Sequence, residues 1–81
     1  MKWIQVESSV VSALGYEIER QRLGIEFKHG QVYIYRDVPY SELEAFLAAE
    51  SKGRYLTMVF LPKSFPCRGP YRSRSEAAQN A

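Results

Sequence analysis

Three consecutive segments with alternating apolar and polar residues constrain the fold of this chain more than any other feature of its sequence. They span residues 8–19, 22–28 and 31–36. In the second segment Leu23, Ile25 and Phe27 share one parity, and polar residues or glycine take the other. Such alternation is typical of a β-strand with one buried face. Because short polar links and the turn residue Gly30 join the segments, they predict a three-stranded antiparallel meander.

A helix is predicted after the third strand. Pro39 ends that strand, because proline has no N–H to donate to a sheet. Ser41 is a favourable N-cap, and Glu44 follows at the spacing of a capping box. Gly53 suits the left-handed position just past a helix end. The expected apolar stripe consists of Leu43, Phe46 and Leu47.

The expected fold class is α+β, with the meander packed against one α-helix around a single core. The run 54–61 fits a short helix and a buried strand almost equally well, and periodicity cannot separate them. From about Gly69 onward the chain lacks apolar anchors. We therefore expect a single domain over residues 1–66 and a basic, disordered tail over residues 67–81. The expected core residues are Val10, Leu14, Ile18, Leu23, Ile25, Phe27, Leu43, Phe46 and Leu47.

Charge is distributed unevenly along the 81 residues, whose formal total is +2. Residues 1–50 carry five basic and eight acidic side chains, whereas residues 51–81 carry six basic side chains and one acidic one. A basic C-terminal third favours a polyanion such as RNA, through release of counterions. The alternative is a solvated tail that keeps the protein soluble.

The composition excludes several classes of protein. One cysteine and one histidine cannot form an internal disulfide or a tetrahedral zinc site. No nucleophile–base pair, cofactor loop or paired carboxylate constellation is recognisable, so we expect no catalytic residues and no cofactor. The chain also lacks the ~20 consecutive apolar residues of a membrane span. Since no signal peptide is visible either, we expect a cytoplasmic protein that does not act at a membrane.

Tyr33 and Tyr35 are the strongest candidates for a binding surface. Spaced by two on a strand, their rings share one face of the sheet. An open face would let nucleobases stack on them, while Arg36, Lys52 and Arg54 contacted the phosphates. The alternative is that both rings belong to the core, because a phenol ring buries a large area.

The chain resembles the KTSC domain family. The family is named for its occurrence at the C-terminus of some lysyl-tRNA synthetases, and it also includes small free-standing bacterial proteins. The resemblance extends from about residue 6 to residue 66, and Tyr-x-Tyr is its central mark. The matching segments are Ser8-Ser9, Ala13–Tyr16, Leu23–Phe27, Gly30–Tyr35, Val38-Pro39, Phe46 and Ala49–Gly53 with Tyr55.

The resemblance implies a short second helix after Gly53 and carries over no catalytic residue. In the family a phenylalanine and an asparagine commonly follow the tyrosine of that segment, whereas Tyr55 is followed by residues Leu56-Thr57-Met58. The synthetase context implies RNA as a partner. The alternative is a protein-interaction or accessory domain, which would use an apolar surface of the helix and of the run 55–60 to bind a protein or a second copy of itself.

Overall fold

Five antiparallel strands, arranged in sequence order, form one sheet in the computed structural model, which describes residues 1–80. The strands are β1 (Lys2–Gln5), β2 (Val11–Glu17), β3 (Arg22–Phe27), β4 (Val32–Tyr35) and β5 (Cys67–Tyr71). The helical elements are α1 (Tyr40–Ala48), α2 (Lys52–Tyr55), a π-helix (Leu56–Phe60), a 3-10 turn (Leu61–Lys63) and α3 (Arg74–Asn80).

One face of the sheet packs against α1 and the π-helix, and we call it the helix face. Alternate residues of β2, β3 and β4 form this face, as the period-two pattern predicts. Because α1 and the π-helix cover them, the rings and branched side chains at its centre are excluded from water. The largest fully buried side chains of this layer are Leu14, Leu23 and Ile25 of the sheet, with Phe46 of α1 and Phe60 of the π-helix.

The predicted core is confirmed at its centre and wrong at two of its ends. Leu43 joins the fully buried residues, whereas Phe27 and Leu47 are only partly buried. Val10 and Ile18 were expected in the core, but their exposed fractions are 41% and 73%. Both lie just outside β2, where the chain leaves the sheet and the strict alternation of faces ends.

The predicted helix exists, but its ends lie elsewhere. Pro39, not Ser41, is the N-cap of α1, and no side chain caps the helix there. Gly53 lies inside α2 rather than after α1. Instead, the Nζ of Lys52 donates to the carbonyls of Leu47 and Ala49 at 3.0 and 2.6 Å. A lysine therefore satisfies the carbonyls that a glycine was expected to cap.

The ambiguous run 54–61 is helical. Its centre is a π-helix in which Leu56 and Phe60 point into the core, while Met58 and Val59 remain exposed. Leu56 and Phe60 are four residues apart, a spacing that shares one side of a helix and also one face of a strand. This double fit explains why periodicity could not separate the two structures in so short a run.

The sheet has five strands rather than the predicted three. β1 pairs with β2, and β5 pairs with β4 through a register shift between Val32 and Ile34. The expectation of disorder after residue 66 is wrong for residues 67–80, which form β5 and α3. Backbone pairing to the edge of β4 holds β5, and Ala77 anchors α3 on Val32 and Ile34. Ala81 lies outside the described residues.

The second face of the sheet, which we call the α3 face, is built around Trp3. Its ring lies on Gly15 and Gly24, where an added Cβ would come within 2.7 and 2.6 Å of ring carbons. Glycine in a strand commonly marks such a close approach. Arg74 covers the ring, with its guanidinium 4.8 Å from the ring centroid.

Candidate functional site

The two tyrosines of the Tyr-x-Tyr motif lie on the helix face. Tyr35 is 7% exposed, and its ring meets that of Phe60 edge-on at a centroid distance of 4.9 Å. Tyr33 is half-buried, and its ring centroid lies 5.7 Å from that of Phe27 and 6.5 Å from that of Tyr35. Burial raises the pKa of Tyr35 to about 12, with smaller contributions from Cys67 and Tyr33. The motif is therefore largely part of the core, and its two rings do not form an open platform.

The three predicted cationic partners do not converge on those rings. Arg36 directly follows Tyr35, so it lies on the α3 face, behind the sheet as seen from the tyrosines. The Nζ of Lys52 donates hydrogen bonds to backbone carbonyls at the end of α1. Arg54 is exposed on α2, and its backbone N–H donates to the side chain of Ser51. Five residues predicted to form one site thus occupy three separate places.

A different set of cations does converge. Arg22 begins β3 and lies next to Arg36, because the register pairs Leu23 with Tyr35. On the other side of β4, Arg68 pairs with Ile34. These three arginines line one cleft of about 260 Å³ on the α3 face, which we call the arginine cleft. Its complete lining is Arg22, Ile34, Arg36, Arg68 and Asn80.

The arginine cleft carries positive charge with little compensation. Arg22 has one carboxylate nearby, since its Nε lies 3.7 Å from Glu17. Within residues 1–80, Arg36 and Arg68 form no ion pair. Like charges on neighbouring strands repel each other, and a bound anion relieves that repulsion. Guanidinium groups donate in a fork that matches phosphate and carboxylate, so the cleft has the chemistry of an anion site.

A second cleft of about 180 Å³ adjoins the first and shares Arg22 and Ile34 with it. Arg20 lines it and is exposed. Arg74 also lines it, but its charge is already paired, because its guanidinium donates to both carboxylate oxygens of Glu26 at 3.2 and 2.8 Å. Glu17 also lines this cleft, and within residues 1–80 Arg20 is its one arginine that forms no ion pair.

A separate apolar surface is formed by α2 and the π-helix, which lie over the helix face of the sheet. Met58 and Val59 are 68% and 38% exposed, and they flank Tyr55 in a shallow groove. Glu50 and Arg54 border the same groove, and we call the five residues the apolar patch. A cluster of exposed apolar side chains is typical of a contact surface for another protein.

The hydroxyl of Tyr55 ties the apolar patch to α1. It donates to Glu42 at 3.0 Å, and the buried carboxylate of Glu42 also accepts from Lys63 at 2.7 Å. Burial and the hydrogen bond to Glu42 raise the pKa of Tyr55 to about 12. Because the carboxylate is satisfied by two donors, this cluster is structural and does not present a reactive acid.

Other chemistry-bearing residues stand apart from one another. Among residues 1–80, no three His, Cys, Asp or Glu side chains are grouped as a metal site requires. His29 is exposed and stacks on Phe27 at 5.4 Å, and Cys67 is exposed on β5. None of the helices in the described part of the chain has the length and apolar character that a bilayer crossing requires.

Sequence reasoning found one of the three cleft arginines. Arg22 could have been added, since it has the opposite parity to Leu23 and sits beside Arg36 in a meander with short turns. Arg68 could not, because it belongs to the strand that was expected to be disordered. The parity of residues 22 and 36 was the available signal that the cations lie on the face away from the tyrosines.

Comparisons with known proteins agree on one family. The KTSC domain model matches residues 7–63. An uncharacterized protein of Stutzerimonas stutzeri is 40% identical over 65 residues, which cover 80% of this chain and 92% of the relative. A protein of Tsukamurella paurometabola is 40% identical over 58 residues, covering 72% and 87%. The crystal structure of a KTSC domain protein from Yersinia pestis is similar, with a TM-score of 0.76, 33% identity, and 83% and 93% of the two chains covered. This chain belongs to the KTSC domain family.

Proposed function

We propose that this KTSC domain is a non-catalytic binding module that holds RNA by its phosphates in the arginine cleft. The observation that carries the proposal is the cluster of Arg22, Arg36 and Arg68 on or directly after three adjacent strands. Within residues 1–80, Glu17 is the one carboxylate that forms an ion pair with any of them. Contacts to phosphate supply affinity and position but carry no sequence information. Since Tyr35 is buried, base stacking contributes little, and we expect weak preference for sequence.

Salt dependence tests the proposal. For a single strand the slope of log affinity against log salt is roughly −0.7 for each phosphate contacted. The cleft has three arginines that can contact one to three phosphates, so the predicted slope lies between about −0.7 and about −2 when single-stranded RNA is titrated at several salt concentrations. The R36A variant should lower the affinity and make the slope less steep.

The matched control is R54A, which removes the same charge from an exposed position outside the cleft. It should lower the affinity less than R36A and leave the slope nearly unchanged. Equal effects of R36A and R54A would show that RNA responds to net charge rather than to the cleft. Absence of binding by the wild-type chain at low salt would refute RNA as the partner.

A second candidate function is self-association through the apolar patch. Its border carries one acidic and one basic residue, Glu50 and Arg54. In a two-fold dimer the same patch faces itself, so Glu50 of each copy would meet Arg54 of the other. Light scattering should then report a dimer at micromolar concentration that M58E abolishes. A monomer under these conditions would refute it. A cytoplasmic location remains a prediction from the sequence.

A further inference from the structure

We infer that the arginine cleft holds the terminal phosphate of an RNA strand rather than an internal one. This inference rests on the proposed function and names the part of the RNA that the site recognises. It starts from the convergence of three cations on one small volume. A protein that follows an RNA backbone needs its cations spread along a line, so that each meets a successive phosphate.

The cleft arginines are grouped around one small volume. Arg22 and Arg68 lie on β3 and β5, and Arg36 directly follows β4 between them. The register brings Arg22 and Arg36 side by side, with Arg68 one strand further. All three side chains line the same cleft, so their guanidinium groups can donate together to one phosphate group.

Charge favours an end over the interior of the strand. An internal phosphodiester carries one negative charge, whereas a phosphate monoester carries about −1.5 to −2 at neutral pH. A monoester also exposes three acceptor oxygens, enough to engage each guanidinium. Below the cleft, Ile34 is 3% exposed and provides an apolar floor, which strengthens the charge interactions above it.

Size agrees with this reading. The cleft volume of about 260 Å³ lies below the ~300–1,000 Å³ of pockets that enclose a whole small molecule. A phosphate and part of its sugar fit, with the Asn80 amide as an additional hydrogen-bonding group at the wall.

The adjoining cleft provides a path for the rest of the strand. It begins at the shared Arg22 and places the exposed Arg20 beyond it, where a second phosphate would be contacted. This continuation favours an oligonucleotide over a peptide that carries one phosphate. The inferred ligand is therefore a phosphorylated RNA end with at least one further nucleotide.

The experiment compares one short single-stranded RNA in three forms: with a 5′-phosphate, with a 3′-phosphate, and with hydroxyls at both ends. Binding is measured by fluorescence anisotropy at one salt concentration. One phosphorylated form should bind about tenfold more tightly than the hydroxyl form, the effect of one additional charge-assisted hydrogen bond. R36A should abolish this preference, and R54A should retain it.

The outcomes separate this inference from the proposed function. Equal affinity for all three RNAs overturns end recognition and leaves phosphate binding by the cleft in place. No binding to any of them overturns both. A phosphoserine peptide that competes as well as the phosphorylated RNA also overturns the inference, because the site would then recognise any phosphate monoester.

Discussion

The two faces of the sheet are covered in different ways. On the helix face, α1 and the π-helix seal the strands with rings such as Phe46 and Phe60, both essentially inaccessible to water. On the α3 face, a single tryptophan and a seven-residue helix cover only part of the strands. The part that they leave open contains the arginine cleft and the cleft that adjoins it.

This difference separates stability from binding. A face covered by large apolar groups contributes most of the free energy of folding, since buried apolar area is the main favourable term. The partly covered face tolerates three neighbouring arginines because their side chains remain in contact with water. Four experiments test this division.

The largest effect is expected from F46A on the helix face. Removing a fully buried phenylalanine leaves a cavity and should cost about 3–5 kcal/mol of unfolding free energy, measured by urea denaturation. The control is E44A, an exposed position on the same helix, which should change stability by less than about 0.5 kcal/mol. Similar losses in the two variants would contradict a helix face that dominates stability.

The second effect is a loss of stability in alkali. The folded pKa of Tyr35 is about 12, above the unfolded value of 10.0, so the native state keeps a proton that the unfolded chain releases. Stability from this group is complete below pH 10 and falls by about 2–3 kcal/mol as the pH rises to 12. Urea midpoints measured across this window should fall less in Y35F than in the wild type. Identical pH profiles would show that the ring is not sealed.

A smaller effect is expected from G24A on the α3 face. The new methyl group would collide with the Trp3 ring, with a Cβ–ring distance of 2.6 Å, and should cost about 1–3 kcal/mol. Because Trp3 is the single tryptophan, its fluorescence reports the displaced ring directly. G53A makes the same chemical change where the nearest atom is a methyl of the exposed Val10, so it should leave the fluorescence unchanged. An unchanged emission spectrum in G24A would contradict the placement of Trp3.

The smallest effect is expected from R74A. This change removes the stacking on Trp3 and the ion pair with Glu26, which together are worth about 1 kcal/mol at a partly exposed site. Thermal unfolding of R74A should be compared with that of R72A, whose side chain is 92% exposed. If R72A were as damaging as R74A, the Trp3–Arg74 cover would not be the element that holds α3.

The candidate site shows where local patterns stop being informative. Alternation correctly placed Tyr33 and Tyr35 on one face, but it did not reveal that the π-helix covers that face. It also could not show that Arg68 joins Arg22 and Arg36, because that depends on how β5 pairs with β4. Arg68 became part of a site only through its register with Ile34.

Local patterns in the sequence were enough to predict the central hairpins β2–β4, the helix α1 and the middle of the core. Those features arise from residues close together in the chain, whose spacing matches one strand or one helical turn. The edge strands, the path of residues 67–80 and the grouping of the arginines depend on contacts between distant parts of the chain. β5 has no apolar alternation, so its place depends on backbone hydrogen bonds to β4, which is more than thirty residues earlier in the chain. Pairing at such a distance leaves no local periodicity to read, and the arginine cleft exists only after that pairing has formed.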